Sequence, residues 1–328
     1  MKYRVLGRTG LKVSEVGMGG HEYRRPLPTT LGRWGELDEE AFTRTQPARN
    51  QVIQAAIAAG INFFDATQPE ETKSLGHALA ALGRKPEVHV AIMTLTPCSK
   101  LKETPRSLWR QRIREDVEDR LRLLQAEYAD LLHLHMPERD YSPQRLTAAL
   151  EAVRELQAEK RIGFIGASSH QPRFLGEVMR KYDCFDAVMI RYNYHLREAR
   201  DVIFPLAKML EVGVIVMKPL AWPFYGLSFT RFDLGGREED AITPVQHALR
   251  WILQFTEVST VVPGMNSLEE VAENVAAIMS EGKANEKVLQ RHLQTALGPK
   301  GRTILSRLTE DPRVDTRYFA KSALLEEE

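Results

Sequence analysis

Residues 105–135 read PRSLWRQRIREDVEDRLRLLQAEYADLLHLH. Leu108, Ile113, Val117 and Leu121 recur at helical spacing with charges on the opposite face, which predicts a helix over Pro105 to Leu124. The apolar run Tyr128 to His133 follows a short polar turn and reads as a buried strand. The same alternation extends in both directions. Further strand candidates are Glu15 to Met18, Ile61 to Asp65, Val88 to Met93, Ile162 to Ala167, Ala187 to Ile190, Val214 to Met217 and Thr260 to Val262. Eight strand and helix units in about 280 residues predict an α/β fold of the closed (β/α)8 TIM-barrel type rather than an open doubly wound sheet. An open dinucleotide-binding sheet would usually carry Gly-x-Gly-x-x-Gly after its first strand. Here that position reads Gly17-Met18-Gly19-Gly20, which close backbone packing explains equally well.

Residues 1–328 read as one barrel domain with three additions. Residues 1–14 form a hairpin, Tyr3-Arg4-Val5-Leu6 and Leu11-Lys12-Val13 about the turn Gly7-Arg8-Thr9-Gly10, suited to plugging the barrel floor. Residues 21–46 form a long polar connection with Pro26, Pro28, Gly32 and Gly35, and residues 281–328 a charged helical tail. With 43% apolar residues and 45 basic against 44 acidic side chains, the chain is neither disordered nor collagen-like. A net charge of +1 gives no electrostatic reason to expect nucleic acid or an anionic membrane as partner. No stretch approaches the roughly 20 apolar residues of a bilayer helix. The start Met1-Lys2-Tyr3-Arg4-Val5-Leu6 lacks the apolar core of a secretory signal, so the cytoplasm is the expected location. Cys98 and Cys184 are far apart and outside any metal-type spacing, and both read as reduced bystanders.

In such a barrel the chemistry lies at the carboxyl ends of the strands. The residues there are His21, Glu22 and Tyr23, then Asp65, His135, the run Ser168-Ser169-His170, the pair Tyr192-Asn193, and Lys218. His133 and His135 share a face because strand side chains alternate, and one of the two also reads as a core histidine.

Several of these stretches occur in blocks that resemble the aldo-keto reductase superfamily. They are Met1 to Gly20, Ala59-Gly60-Ile61-Asn62-Phe63-Phe64-Asp65-Ala66, Tyr128 to His135, Gly163 to Ser169, Arg191-Tyr192-Asn193, and Val262-Pro263-Gly264 followed by Glu273-Asn274. The resemblance covers about residues 1–280 and implies a (β/α)8 barrel with an amino-terminal hairpin and, usually, NADP-dependent carbonyl reduction. Family enzymes surround the carbonyl oxygen with an aspartate, a tyrosine, a lysine and a histidine. Asp65 and His135 match the first and last. The tyrosine has no equivalent, its place falling on Glu70 or Gln68 in a shortened loop, and the lysine position is Met93. On the cofactor side, Ser168 matches a serine that helps hold the carboxamide. Ser169 and Met189 replace an asparagine and a glutamine, and Met217 stands where an aromatic ring often covers the nicotinamide. Lys218, with Pro219 and Leu220, is available for the pyrophosphate. The basic clamp for a 2′-phosphate falls on Gly264 or Asn266, near Asn274, with Glu270 adding negative charge, which disfavours NADP.

The resemblance thus implies a nicotinamide-dependent oxidoreductase with an atypical tetrad, using NADP or NAD on a small molecule such as a sugar. Asp65, His135 and Glu70 are the expected catalytic residues; a different acid must replace the tyrosine, the candidates being His21, Tyr23, a bound water or Glu70, whose pKa a dry pocket beside Met93 would raise. His21, Tyr23, Met93, His170 and Tyr192 are expected to line the substrate pocket. Two alternatives remain at this level. One is a redox-neutral lyase or isomerase, or a metal-dependent enzyme using His21, Glu22, His135, His170 and His195. The other is a catalytically inactive dinucleotide-binding protein, since losing general acid catalysis alone costs roughly a hundred- to ten-thousand-fold.

Overall fold

Strands β1 (Tyr3–Val5) and β2 (Lys12–Ser14) pair antiparallel with Arg4 opposite Val13. The computed structural model describes residues 1–20, 39–83, 87–95, 97, 100–220, 242–279 and 282–308. The turn joining β1 to β2 passes through Gly7 at φ 50° and Gly10 at φ 71°. A Cβ at Gly7 would stand 2.1 Å from the Gly213 nitrogen, so only glycine permits this approach. The turn thereby drives Leu6 and Val13 into the barrel interior, and the hairpin closes the floor as the sequence reading expects. Arg4 secures it, donating to the carbonyls of Leu253, Phe255 and Val258 at 2.6–2.8 Å and pairing with Glu15 at 2.7 Å.

Seven parallel strands follow in sequence order: β3 (Phe63–Ala66), β4 (His89–Thr94), β5 (Ala129–His135), β6 (Ile162–Ser169), β7 (Ala187–Arg191), β8 (Gly213–Met217) and β9 (Val258–Val262). The expected first barrel strand, Glu15 to Met18, is not one. It makes two isolated bridges, Val16 to Val261 and Met18 to Phe64, which span the gap between β9 and β3. Glycine explains the difference: a Cβ at Gly17 would meet the Phe63 carbonyl at 2.9 Å, so the chain approaches closely without a pleated run of side chains. The barrel is therefore nearly closed, with the remaining helices α1 (Glu39–Ala58), α2 (Pro69–Ala81), α3 (Trp109–Leu124), α4 (Pro143–Ala158), α5 (Pro172–Lys181), α6 (Glu198–Met209), α7 (Pro244–Leu253) and α8 (Leu268–Met279) outside it.

Strand alternation separates two cores. Phe63, Ala91, Met93, Leu131, Met189 and Ile215 fill the interior, whereas Phe64, Ile92, Leu132, Ile190 and Val216 pack outward against the helices. α1 begins at Glu39, inside the stretch read as a connection over 21–46, because Phe42, Arg49, Ile53 and Ala56 form a buried face there. Residues 21–38 lie outside the described residues. Beyond the barrel, the part of the expected tail that is described folds as α9 (Glu286–Leu297) and α10 (Pro299–Leu308), with Leu289 buried and the Asn285 N–H donating to His247 Nδ1 at 3.1 Å, and residues 309–328 lie outside the described residues. No described helix is long and apolar enough to cross a membrane.

Candidate active site

The inward face of β5 carries Leu131, His133 and His135 in rising order toward the carboxyl end. His133 is fully buried in register with Met93 and Gly166. A Cβ at position 166 would lie 2.3 Å from its Nδ1, so the glycine makes room for the ring. Burial pushes His133 down to about 3, and neither ring nitrogen has a hydrogen-bond partner among the described residues. His133 is the core histidine of the pair. His135 stands at the rim, its ring edge-on to His170 with centroids 6.3 Å apart. Burial, and after it the nearby Lys218 ammonium, push His135 down to about 4, opposed by Asp140. It is a neutral imidazole at pH 7.

Asp65 ends the inward face of β3. Its N–H donates to the Met18 carbonyl at 2.9 Å, and its Oδ2 accepts from the Thr67 hydroxyl at 3.2 Å. Met93 is inward and buried at the end of β4. Asp65, Met93, His135 and His170 are therefore gathered at one end of the barrel.

Glu70 lies buried in the first turn of α2, near enough to Arg120 on α3 for its charge to act on that guanidinium after those of Asp116 and Glu71. Arg120 donates to the Thr67 carbonyl at 2.7 Å and lies 4.0 Å from Asp116, which accepts from the Thr94 hydroxyl at 2.6 Å. Thr94 follows the inward Met93 and faces the helices, so this network occupies the helix side of β4. Burial lowers Arg120 below its usual value, and Asp116, Glu71 and Glu70 oppose the shift. Neighbouring Glu71 caps α2, accepting the N–H groups of Thr67 and Gln68 at 2.8 Å each.

Tyr192 does not face the pocket. Its ring is fully buried outside the barrel, stacked on Trp251 at 5.3 Å and edge-on to Phe204 at 4.9 Å. Three positions after the inward Met189, it takes the opposite face of β7. The same alternation puts Arg191 on the inward side at the rim, level with Met217 of β8. Sequence reasoning passed over Arg191, although period-two counting from Met189 finds it.

The expected cofactor residues line neighbouring strand ends. Ser168 is buried beside His135 and Met189, and Met189 and Met217 belong to the interior core. Ser169 is buried and oriented by its turn, its Oγ accepting from Gln171 N at 3.2 Å. Lys218 adopts φ 53°, with its carbonyl accepting from Asn193 Nδ2 at 3.1 Å, and Pro219 and Leu220 follow it. Beyond β9, Gly264 and Asn266 lead to α8, where Asn274 is buried. Asn266 donates through its N–H to Glu270 Oε2 at 2.6 Å, so a carboxylate of the chain itself sits at this turn. His21, Tyr23, Glu22 and Cys98 lie outside the described residues. Burial raises the Cys184 thiol to about 11, which keeps it protonated. Among the described residues, no group of three His, Cys, Asp or Glu side chains is arranged to hold a metal ion.

Comparison with known proteins agrees with this geometry. The sequence model for the Aldo/keto reductase family matches residues 30–289. L-galactose dehydrogenase of Arabidopsis thaliana is 28% identical over 303 residues, covering 85% of this chain and 88% of that one. A probable aldo-keto reductase of Glycine max is 24% identical over 326 residues, covering 87% and 86%. Among solved structures, the holo form of aldo-keto reductase AKR11C1 from Bacillus halodurans matches with a TM-score of 0.66 and 26% identity, covering 90% of this chain and 95% of that one. With its barrel, floor hairpin and rim residues in family order, the chain belongs to the aldo/keto reductase family, oxidoreductases that act on small molecules and generally use nicotinamide dinucleotides.

Proposed function

We propose that this chain interconverts an alcohol and a carbonyl on a sugar-like substrate with NAD as the preferred dinucleotide. The observation that carries this reading is a neutral, desolvated His135 at the rim, flanked by Ser168, Met189 and Met217 on adjoining strands. These residues fit a nicotinamide: two thioethers offer an apolar face, and a buried hydroxyl stands ready for the carboxamide. Gly264, Asn266 and Asn274 with Pro219 and Leu220 would hold the rest of the dinucleotide, and Ser169 fixes the turn beside the carboxamide. Glu270 at the Asn266 turn would repel a 2′-phosphate, which favours NAD over NADP. When bound, the dinucleotide takes up or supplies the hydride.

His135 would donate a hydrogen bond to the substrate oxygen and orient it, with His170 closing one side of the pocket. Asp65, fixed by Met18 and Thr67, sets a negative charge across the mouth. With Met93 in place of a cation and no tyrosine at the family position, the substrate hydroxyl proton would pass to solvent at the mouth. Turnover should then be slow by the roughly hundred- to ten-thousand-fold that a missing general acid costs. The name of the Arabidopsis relative supports a sugar as substrate class.

The test is titration with NADH and NADPH separately, followed by assays of L-galactose and other hexoses with each oxidised dinucleotide. Micromolar NADH binding with measurable oxidation is the expected result. Tight binding without turnover on any sugar would identify a dinucleotide-binding protein that has lost catalysis, and no binding of either nucleotide would refute the proposal.

A further inference from the structure

Arg191 is an inward-facing cation at the barrel rim, half-buried, with no side-chain hydrogen bond or ion pair among the described residues. Its register partner is Met217, and the next residue along β8 is Lys218, so two cations flank one thioether at neighbouring strand ends. Lys218 is built in rather than loosely attached. Its left-handed backbone is uncommon for a residue with a side chain, and Asn193 holds it there. Asn193 is itself fully buried, its Oδ1 accepting from the N–H groups of His195 and Leu196 at 2.9 and 2.8 Å. The acid that acts on His135 from this side, Asp140, is already paired with Lys102 and with Arg139. Among the described residues, this half of the mouth sets the Arg191 guanidinium on the pocket side, with the Lys218 ammonium near enough to act on His135.

Resting on the oxidoreductase reading above, we infer that Arg191, on the strand beside the Met217–Lys218 end, is the receptor for an acidic group of the substrate. The preferred substrate is then a sugar acid or sugar phosphate rather than a neutral sugar. A guanidinium on a rigid strand end matches a carboxylate or phosphate through paired N–H donors. From strand spacing and rise, the α-carbons of His135 and Arg191 stand about 12 Å apart.

The experiment compares D-galactose, D-galacturonate and D-galactose 6-phosphate as substrates with NAD, in the wild type, Arg191→Gln and Arg191→Lys. In the wild type, kcat/KM for an anionic sugar should exceed that for galactose by tenfold or more, and the advantage should shrink with added salt. Whichever anion leads identifies carboxylate or phosphate as the natural group. Arg191→Gln should bring the ratio to within about threefold of one, mainly through KM, and Arg191→Lys should restore more of the phosphate preference than of the carboxylate preference. An unmoved ratio in Arg191→Gln overturns the inference. So does a tenfold loss of NADH affinity at constant ratio, which would assign the cation to the dinucleotide. Should no sugar turn over, thermal stabilisation by galacturonate and by inorganic phosphate is measured instead. Stabilisation present in the wild type and absent in Arg191→Gln supports the receptor while the redox reading fails, and its absence in the wild type refutes the receptor.

Discussion

His135 is neutral throughout the physiological range because burial and the Lys218 charge hold its pKa near 4. Its hydrogen bond to the substrate oxygen is therefore present at pH 6 as well as pH 8. His135→Gln should lower kcat/KM by about 10²–10³ with circular dichroism unchanged, and the wild-type pH profile should show no limb near 6.5. A limb at that value would mean that the ring is solvated. Below it, Gly166 and His133 form a steric pair. Gly166→Ala places a methyl 2.3 Å from the His133 ring and should destabilise the fold by about 1–3 kcal/mol, an effect that His133→Ala in the same chain should relieve. Double-mutant denaturation curves measure the coupling. Counting by twos along β5 and β7 reveals at sequence level that His133 lies under His135 and that Arg191 shares the face of Met189. The same count places Tyr192 on the helix side, where Phe204, Trp251 and Phe255 receive it.

At the scale of single elements, two turns decide how the site is presented. The first joins β3 to α2, where Glu71 caps the helix beneath Gly20; a Cβ at Gly20 would stand 2.7 Å from Glu71 Oε2. Glu71→Ala removes two buried N–H partners and should cost about 1–3 kcal/mol in denaturant unfolding. It should also reduce turnover, because Thr67 of that turn holds Asp65. The second turn leads into α8, where Glu270 receives the Asn266 N–H and accepts a further bond at 3.4 Å from Asn266 Nδ2. Glu270→Gln keeps an acceptor and removes the charge. It should narrow the preference for NADH over NADPH severalfold, as read by tryptophan quenching with each nucleotide; an unchanged ratio would place the adenosine end elsewhere. Glu270 was legible in the sequence as an added charge. The nearness of Glu70 to Arg120 was not, because 50 positions separate them and only the packing of α2 against α3 brings their charges within range.

Across the molecule, three histidines, His133 buried and His135 and His292 half-buried, share one thermodynamic signature. Burial lowers His133 and His292 to about 3, and burial with Lys218 lowers His135 to about 4. The unfolded chain protonates these rings below about 6.5 while the folded chain does not. Stability is accordingly complete above that pH and falls as pH drops from 6.5 toward 4, by up to about 1.4 kcal/mol per pH unit for each ring. Denaturation midpoints at pH 7 and pH 5 should differ, and His133→Leu should reduce the difference. That variant should also be at least as stable as the wild type at pH 7, since it removes two unpartnered nitrogens. A stability loss at pH 7 would reveal a buried water bonded to the ring.

The barrel, the floor hairpin and the family were legible in the amino-acid sequence. All of these follow from local periodicity, from glycines at close approaches and from short blocks in order. Tertiary structure decided the rest. The segment Glu15 to Met18 bridges β9 and β3 without becoming a strand, because two neighbours crowd its glycines. Asp116, Glu71 and Glu70 act on Arg120, and Lys218 acts on His135, because charges act through space between elements distant in the chain. Hydrophobic alternation depends on each residue and its near neighbours, so it is written along the sequence. The ionisation state and partner of a buried charge depend on everything packed around it, and only the folded barrel specifies that.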